Sequence, residues 1–588
     1  MAKIIFFSPH SLSWVTAFPE ALVAESLAKN GHEIVYITCG EFLNSACILM
    51  LNQPNLSDAG RAQICRQCSL RAGLIRKKMK FPGYSLSSVS DFEDEKKAKE
   101  VMKGVSAANF SQLVVENVSI GKVAAYEFLI KHKKMTAEFS ESEWSQFYPI
   151  LENAVRTFYT LKRVFNKEKP DYVISCNNLY SVHAVCSHLA KEKGVVPYFL
   201  DAGMNFSNRL LRLQIGRNSV LFYIKEVINR WPIVKGIPCN KELLSEGTEH
   251  FLEVLQGNSS FAFSAPKAEL KVDVREKFGI CPDQKILVAT MSSYDEVFAG
   301  EFVGAWSTAR KDLFKTQVDW IQALVEWIKC KPGYFLIVRV HPREFPNKRA
   351  SIKSEHASMV QKLFTNFPKN VKVNWPEEKL SLYDLACEAD VFLNAWSSAG
   401  QEMSLLGLPV VVYSKEALFY PADLNYLGET EGQYFDQIEQ ALKDGWSAER
   451  VRSTFRWFAL MFGRSEIRID DSYAGIPKPV VYKNIVSRKF AGGLRRLFPL
   501  LPERQDLKRR ASKLRHAEAL NRIFTNGESI SFDSVNLESG SVPTMDEETE
   551  YIKCEMMRIA KAMWGGIEVV QGGQPGKLFL HFRKYLTS

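Results

Sequence analysis

The sequence has no apolar run long enough to cross a bilayer. About 18 uninterrupted apolar residues are needed for that, and every candidate stretch in these 588 residues is broken by Lys, Arg, Glu or Asp. The first apolar run, Ile4-Ile5-Phe6-Phe7, is far shorter than the core of a secretory leader and leads straight into a helical pattern. It reads as a buried strand, and the chain as cytoplasmic. Cysteine is thin: 11 residues, odd in number and mostly dispersed, which excludes a disulfide scaffold and fits a reducing compartment. Internal repeats and long low-complexity tracts are missing too, which excludes a solenoid or a disordered chain.

What is present looks globular. Hydrophobic residues make up 46% and charged residues 24%, near the average for folded domains. The length exceeds what one core organises, so two large domains are expected. The net charge of +10 is local: between Lys483 and Arg515 eleven Lys or Arg face only Glu503 and Asp506, with Phe490, Leu494, Leu497, Phe498, Leu500 and Leu501 among them. Such a segment suits an anionic membrane surface, here the inner face; a solvated helical face or a groove for an acidic polysaccharide is the alternative. No nucleic-acid module accompanies the charge, so nucleic acid is not expected as a partner.

Periodicity divides the chain. Lys3 to Phe7 as strand, Phe18 to Lys29 as helix and Ile34 to Thr38 as strand open a doubly wound parallel sheet. Tyr172 to Ser175 and Tyr198 to Leu200 read as further buried strands, with Asn177 to Lys193 as the crossover between them. A second wound sheet is expected from Ile286–Ala289, Phe335–Val340, Val371–Val373, Val391–Leu393 and Pro409–Tyr413, separated by helical patterns such as Gln317 to Lys329 and Leu382 to Glu388. The expected organisation is an α/β chain with a Rossmann-like domain over 1–262, a linker near Ser259 to Lys271, a second Rossmann-like domain over 272–475, and a mainly helical basic extension over 476–588.

Open α/β sheets bind ligands beyond the carboxyl ends of their strands, and three loops of the second sheet carry polar groups there. One strand ends in Arg339-Val340-His341-Pro342. The proline sets the backbone, and the histidine is suited to donate to a phosphate oxygen or to cap a neighbouring loop. Another strand ends in Trp396-Ser397-Ser398-Ala399-Gly400-Gln401-Glu402. Its small residues open a helix whose free N–H groups suit phosphate, although Ser and Gly are also ordinary caps, and Glu402 is spaced to accept from a sugar or ribose hydroxyl. Ser292 and Ser293 follow the first strand at the same edge, where a solvated turn is the plain alternative.

Together these residues resemble those of GT-B glycosyltransferases that build bacterial surface polysaccharides, especially capsule enzymes of the Kdo-transferase kind. The paired His-Pro and Gln-Glu motifs of that group stand here as His341-Pro342 and Gln401-Glu402, and the opening before Ile34, Leu-Ala-Lys-Asn-Gly-His-Glu, is common in GT-B first domains. The likeness covers residues 285 to 425, with the first half matching in architecture alone. It implies that Ser292, Ser293, Arg339, His341, Ser397, Ser398, Gln401 and Glu402 hold a nucleotide-sugar donor, that a glycan or lipid-linked acceptor meets the first domain, and that transfer needs no catalytic metal or other cofactor. In keeping with that, no Asp-x-Asp motif stands in the region, and Asp470-Asp471 lies outside it. The same region resembles teichoic acid polymerases, through Arg339 to Pro342, Ser397-Ser398 and Pro409 to Tyr413; that likeness implies transfer of a polyol phosphate from a CDP carrier. Their pattern favours an Asp soon after the serines, where this chain has Gln401-Glu402, and the departure favours sugar transfer. A sugar-nucleotide epimerase of the same fold would need clustered carboxylates near the donor, which the sequence lacks. A noncatalytic GT-B scaffold completes the alternatives.

Inverting transfer needs a base for the acceptor hydroxyl, normally supplied by the first domain. Asp201, beyond the strand Tyr198–Leu200, ranks first and His10, beyond the first strand, second; Glu20 reads as a charge at a helix start. Retaining transfer would need no such base. Cys39, Cys47, Cys65 and Cys68 fall close enough in sequence for a structural zinc site, against the plain reading of free thiols.

Overall fold

The computed structural model describes every position except 52, 54–55, 258–260, 262, 264, 268–271, 307–311, 477–499, 533–541 and 569–575. The described strands form two sheets. β1 (Lys3–Phe7), β2 (Glu33–Thr38), β3 (Gly83–Ser85), β4 (Tyr172–Cys176), β5 (Val196–Ala202) and β6 (Arg212–Arg217) belong to the first, and β7 (Lys285–Thr290), β8 (Tyr334–Arg339), β9 (Val371–Asn374), β10 (Val391–Asn394), β11 (Val410–Val412) and β12 (Tyr426–Leu427) to the second. A late strand, β13 (Ile467–Arg468), returns to the first sheet. The orders are β13-β6-β5-β4-β1-β2-β3 and β12-β11-β10-β7-β8-β9.

Burial decides which strands are central. Ile4, Ile5, Phe6 and Phe7 are each at most 1% exposed, as a strand covered by helices on both faces must be, and β1 lies between β2 and β4 with Ile5 opposite Val35 and Val173. In the second sheet β7 is central, with Leu287 opposite Leu336 and Val391. All pairs of that sheet are parallel, so its carboxyl ends gather on one edge. A cleft of about 410 Å³ is lined from both halves, by Leu179 after β4 and Met204 after β5 on one side and Ser292, His341 and Ser397 on the other. Two wound sheets facing a common cleft are the GT-B architecture.

Two elements escape periodicity. β6 runs antiparallel to β5, and β13 antiparallel to β6; β6 alternates polar and apolar residues, and β13 is only two residues long. The chain past residue 475 also divides between the halves. Leu507, Leu514, Leu520, Ile523 and Phe524 pack with Ile4, Phe6 and Leu22 of the first sheet, whereas Ile552, Met556, Ile559, Leu578 and Phe582 pack with the second.

The described part of the basic stretch is docked rather than free: Trp14 Nε1 donates to Asp506 at 2.9 Å, Arg510 pairs with Glu25 at 3.0 Å and Arg71 with Glu503 at 2.7 Å. Residues 483–499, where most of its apolar positions fall, lie outside the described residues. Among the described residues no helix is long and apolar enough to cross a membrane.

Candidate functional site

β8 delivers Arg339 and His341 to the cleft. Arg339 is 7% exposed; its Nη1 donates to Asn374 Oδ1 at 2.6 Å and to the Leu380 carbonyl at 2.9 Å. Burial pulls its guanidinium down to about 10, so it stays cationic at neutral pH. His341 caps the short turn Pro342–Glu344, its Nδ1 accepting the Arg343 N–H at 3.2 Å. That acceptor role leaves the hydrogen of the neutral ring on Nε2. Burial holds the imidazole at about 4, so His341 offers a neutral N–H, not a charge, across the physiological range.

The loop after β7 is pinned by Gln317, which accepts from Ser292 N at 2.7 Å and donates to the Ser292 carbonyl at 3.0 Å. Ser292 Oγ accepts from Trp396 N at 3.2 Å, joining this loop to the one after β10. Ser293 Oγ donates to Glu296 at 2.7 Å. Asn394 Nδ2 holds the Ser397 carbonyl at 2.9 Å and Tyr420 OH at 2.9 Å. Gly400 is required there: a Cβ would sit 2.0 Å from Tyr420 OH. Ser398 Oγ donates to Glu402 at 2.9 Å, and Tyr383 OH donates to the other carboxylate oxygen at 2.8 Å. Burial raises the Glu402 carboxyl above its ordinary value despite both donors and the nearby Arg339.

The structure thus gathers Ser292, Ser293, Arg339, His341, Ser397, Ser398 and Glu402 on the cleft. Gln401 is the exception. It is one residue, or 100° of helix, from Glu402, and its Oε1 accepts from Trp457 Nε1 at 2.9 Å inside the core. Glu296, on the cleft and 48% exposed in its side chain, was not singled out by sequence; its place in the first turn of the helix Tyr294–Phe302, directly after Ser292-Ser293, was the available signal.

The first-domain candidates lie elsewhere. His10 lines a separate small cavity with Glu127 and Ser181, its ring packed on His183 at 5.0 Å and held by burial at about 4. Asp201 lines another with Glu20 and Arg212, its carboxyl raised by burial. The wall they were expected to furnish is instead apolar, with Leu179, Met204, Phe206, Val220 and Leu221 facing the donor side.

The four clustered cysteines, Cys39, Cys47, Cys65 and Cys68, all lie among the described residues. Among the described residues no group of three or more His, Cys, Asp or Glu is arranged to hold a metal ion. The thiols are free; Cys39 accepts from Leu43 N, and Cys68 donates to the Pro9 carbonyl. Burial pushes Cys39 and Cys47 up to about 12.

No family model matches the chain, and no curated protein matches it. Solved structures do: a Thermosulfurimonas dismutans KpsC β-Kdo 2,4 transferase (16% identity, TM-score 0.33, 51% of this chain and 82% of that one), a Methanocaldococcus jannaschii UDP-GlcNAc 2-epimerase in complex with UDP-GlcNAc and UDP (14%, 0.26, 77% and 97%), and the spinosyn rhamnosyltransferase SpnG (10%, 0.22, 78% and 96%). Overall superposition is slight at such scores, and the fold assignment stands on strand order and the shared cleft.

Proposed function

We propose that this protein is a glycosyltransferase that takes a sugar from a nucleotide carrier bound in the cleft, with the donor phosphates between His341 and the Ser397-Ser398 turn. The observation that carries this reading is the convergence on one sheet edge of a neutral Nε2–H, a buried guanidinium and serine hydroxyls from separate loops. Donors fixed before the reaction stabilise charge as it develops on a leaving phosphate. The acceptor oxygen attacks the anomeric carbon, the bond from that carbon to the phosphate oxygen breaks, and its electron pair leaves with the nucleotide. In an inverting reaction the acceptor proton passes to a base. Glu296 is the better-placed carboxylate for that step, since it borders the cleft and reaches solvent, whereas Asp201 and His10 line other cavities. Glu402 suits a hydroxyl of the sugar or ribose. A bacterial surface glycan, free or lipid-linked, is the acceptor class that the motif resemblance favours.

A thermal-shift panel of CMP, CDP, UDP, GDP and dTDP tests the donor site. One or more should raise the melting midpoint, and His341→Ala should weaken that nucleotide about tenfold, the scale of one lost hydrogen bond to a charged group. No stabilisation of the wild type by any of the five overturns the reading. Product analysis separates the chemistries: an elongated glycan supports sugar transfer, CMP with a polyol phosphate ester the alternative, and an isomerised sugar nucleotide an epimerase.

A further inference from the structure

One first-domain side chain reaches into the loop that carries His341. Lys133 ends the helix Tyr126–His132 in a left-handed conformation, φ 49°. Its ammonium donates to the carbonyl oxygens of Arg343 at 2.5 Å, Ile352 at 2.6 Å and Phe345 at 3.3 Å. Three acceptors match the three N–H donors of an ammonium. Lys133 is 2% exposed, and among the described residues no carboxylate is paired with it. A lysine this buried is unusual, because removing the charge from water is costly unless fixed dipoles replace the solvent. Here those dipoles all belong to residues 343–352, directly after His341-Pro342. The backbone of Arg343 is central to the arrangement: its N–H donates to His341 Nδ1 and sets the tautomer, and its carbonyl receives Lys133.

Other contacts cross the same boundary without touching residues 343–352. Lys134 pairs with Glu355 at 2.7 Å, and Met135 N donates to the same carboxylate at 2.9 Å. The helix Tyr294–Phe302, which follows Ser292-Ser293, buries Ala299 in the first-domain core with Phe298 and Phe302 packed beside it. Two of the three donor loops, those after β7 and β8, are therefore moored to the other domain.

We propose that Lys133 is a positioning residue for the donor site: its tripod of hydrogen bonds holds the loop 343–352 in the shape that presents the His341 imidazole to the donor phosphate. Nucleotide affinity is then set from the opposite domain. This rests on the donor-site reading above.

The test uses the full chain and two readouts, amide hydrogen exchange over 343–352 without nucleotide and nucleotide affinity by calorimetry. Lys133→Met, or Lys133→Gln should the first not fold, is expected to speed exchange in that loop and raise the dissociation constant about tenfold or more. Lys133→Arg should recover part of the affinity, since a guanidinium keeps the charge but not the tripod. Lys134→Ala, which breaks only the neighbouring ion pairs, should leave both readouts near wild type. Unchanged affinity in Lys133→Met, or an equal loss in Lys134→Ala, overturns the proposal. Failure of the wild type to bind any nucleotide in the panel would sink the donor reading instead, and the exchange readout still decides whether Lys133 orders the loop.

Discussion

Glu20 shows how far burial moves a single group from its textual appearance. In sequence it is an acidic residue near a helix start, an ordinary solvated charge; in the fold it is 4% exposed, accepts from Ser8 Oγ, and burial pushes its carboxyl up to about 8. The folded state holds this proton more tightly than the unfolded chain, whose carboxyl titrates near 4.5. The stabilisation is full below that value and is lost as pH rises through about 8. Glu127 and Glu466, each raised to about 7 by burial, act in the same direction. The melting midpoint should fall between pH 5 and pH 9, and Glu20→Gln should reduce but not abolish that fall; equal slopes for variant and wild type would refute the assignment. Gln401 makes the complementary point. Its type and spacing suited a ligand contact, but which side of a short helix faces a cleft is settled by the partner that fills the other side, here Trp457.

Among the elements, the helix Met545–Trp564 is held by a buried ion pair. Glu548 is fully buried, receives Arg456 Nε at 2.9 Å and Nη2 at 2.5 Å, and accepts Cys239 N at 2.8 Å. Removing the carboxylate strands a buried guanidinium, so Glu548→Ala should cost about 3–5 kcal/mol, measured by denaturant unfolding. The nucleotide site lies elsewhere and should bind normally while the variant remains folded. The central strands were legible because parallel strands covered on both faces must be apolar throughout: Ile4–Phe7, Ile286–Ala289 and Val391–Leu393 announce themselves. β6 and β13 were not, because β6 carries Arg212, Gln214 and Arg217 among its apolar positions, β13 is only two residues long, and their pairing joins positions such as Leu213 and Ile467 that no local window connects. The donor loops were readable as polar groups after apolar runs. Lys133 was not, since its partners are backbone carbonyls more than 200 residues away, and a carbonyl leaves no trace in a sequence.

For the molecule as a whole, composition marks a change past residue 475 but does not say where that segment packs. The first sheet depends on it. Leu507, Leu520, Ile523 and Phe524 cover Ile4, Phe6 and Leu22, and Ile530 bridges to Gly216 beyond β13. A chain ending at 475 should therefore lose cooperative unfolding and bind a hydrophobic dye in its first half. A truncated protein that melts like the full chain would contradict this.

That dependence also bears on biogenesis. A ribosome adds about 5–20 residues per second, so β1 emerges tens of seconds before Phe524 does. Throughout that interval the core that Leu22, Tyr172 and Tyr198 share lacks Phe524, whose ring packs against both tyrosines, and it closes only once that residue has been made. The core of the first sheet is therefore completed only after the second sheet's described strands, the last of them Tyr426–Leu427, have left the ribosome.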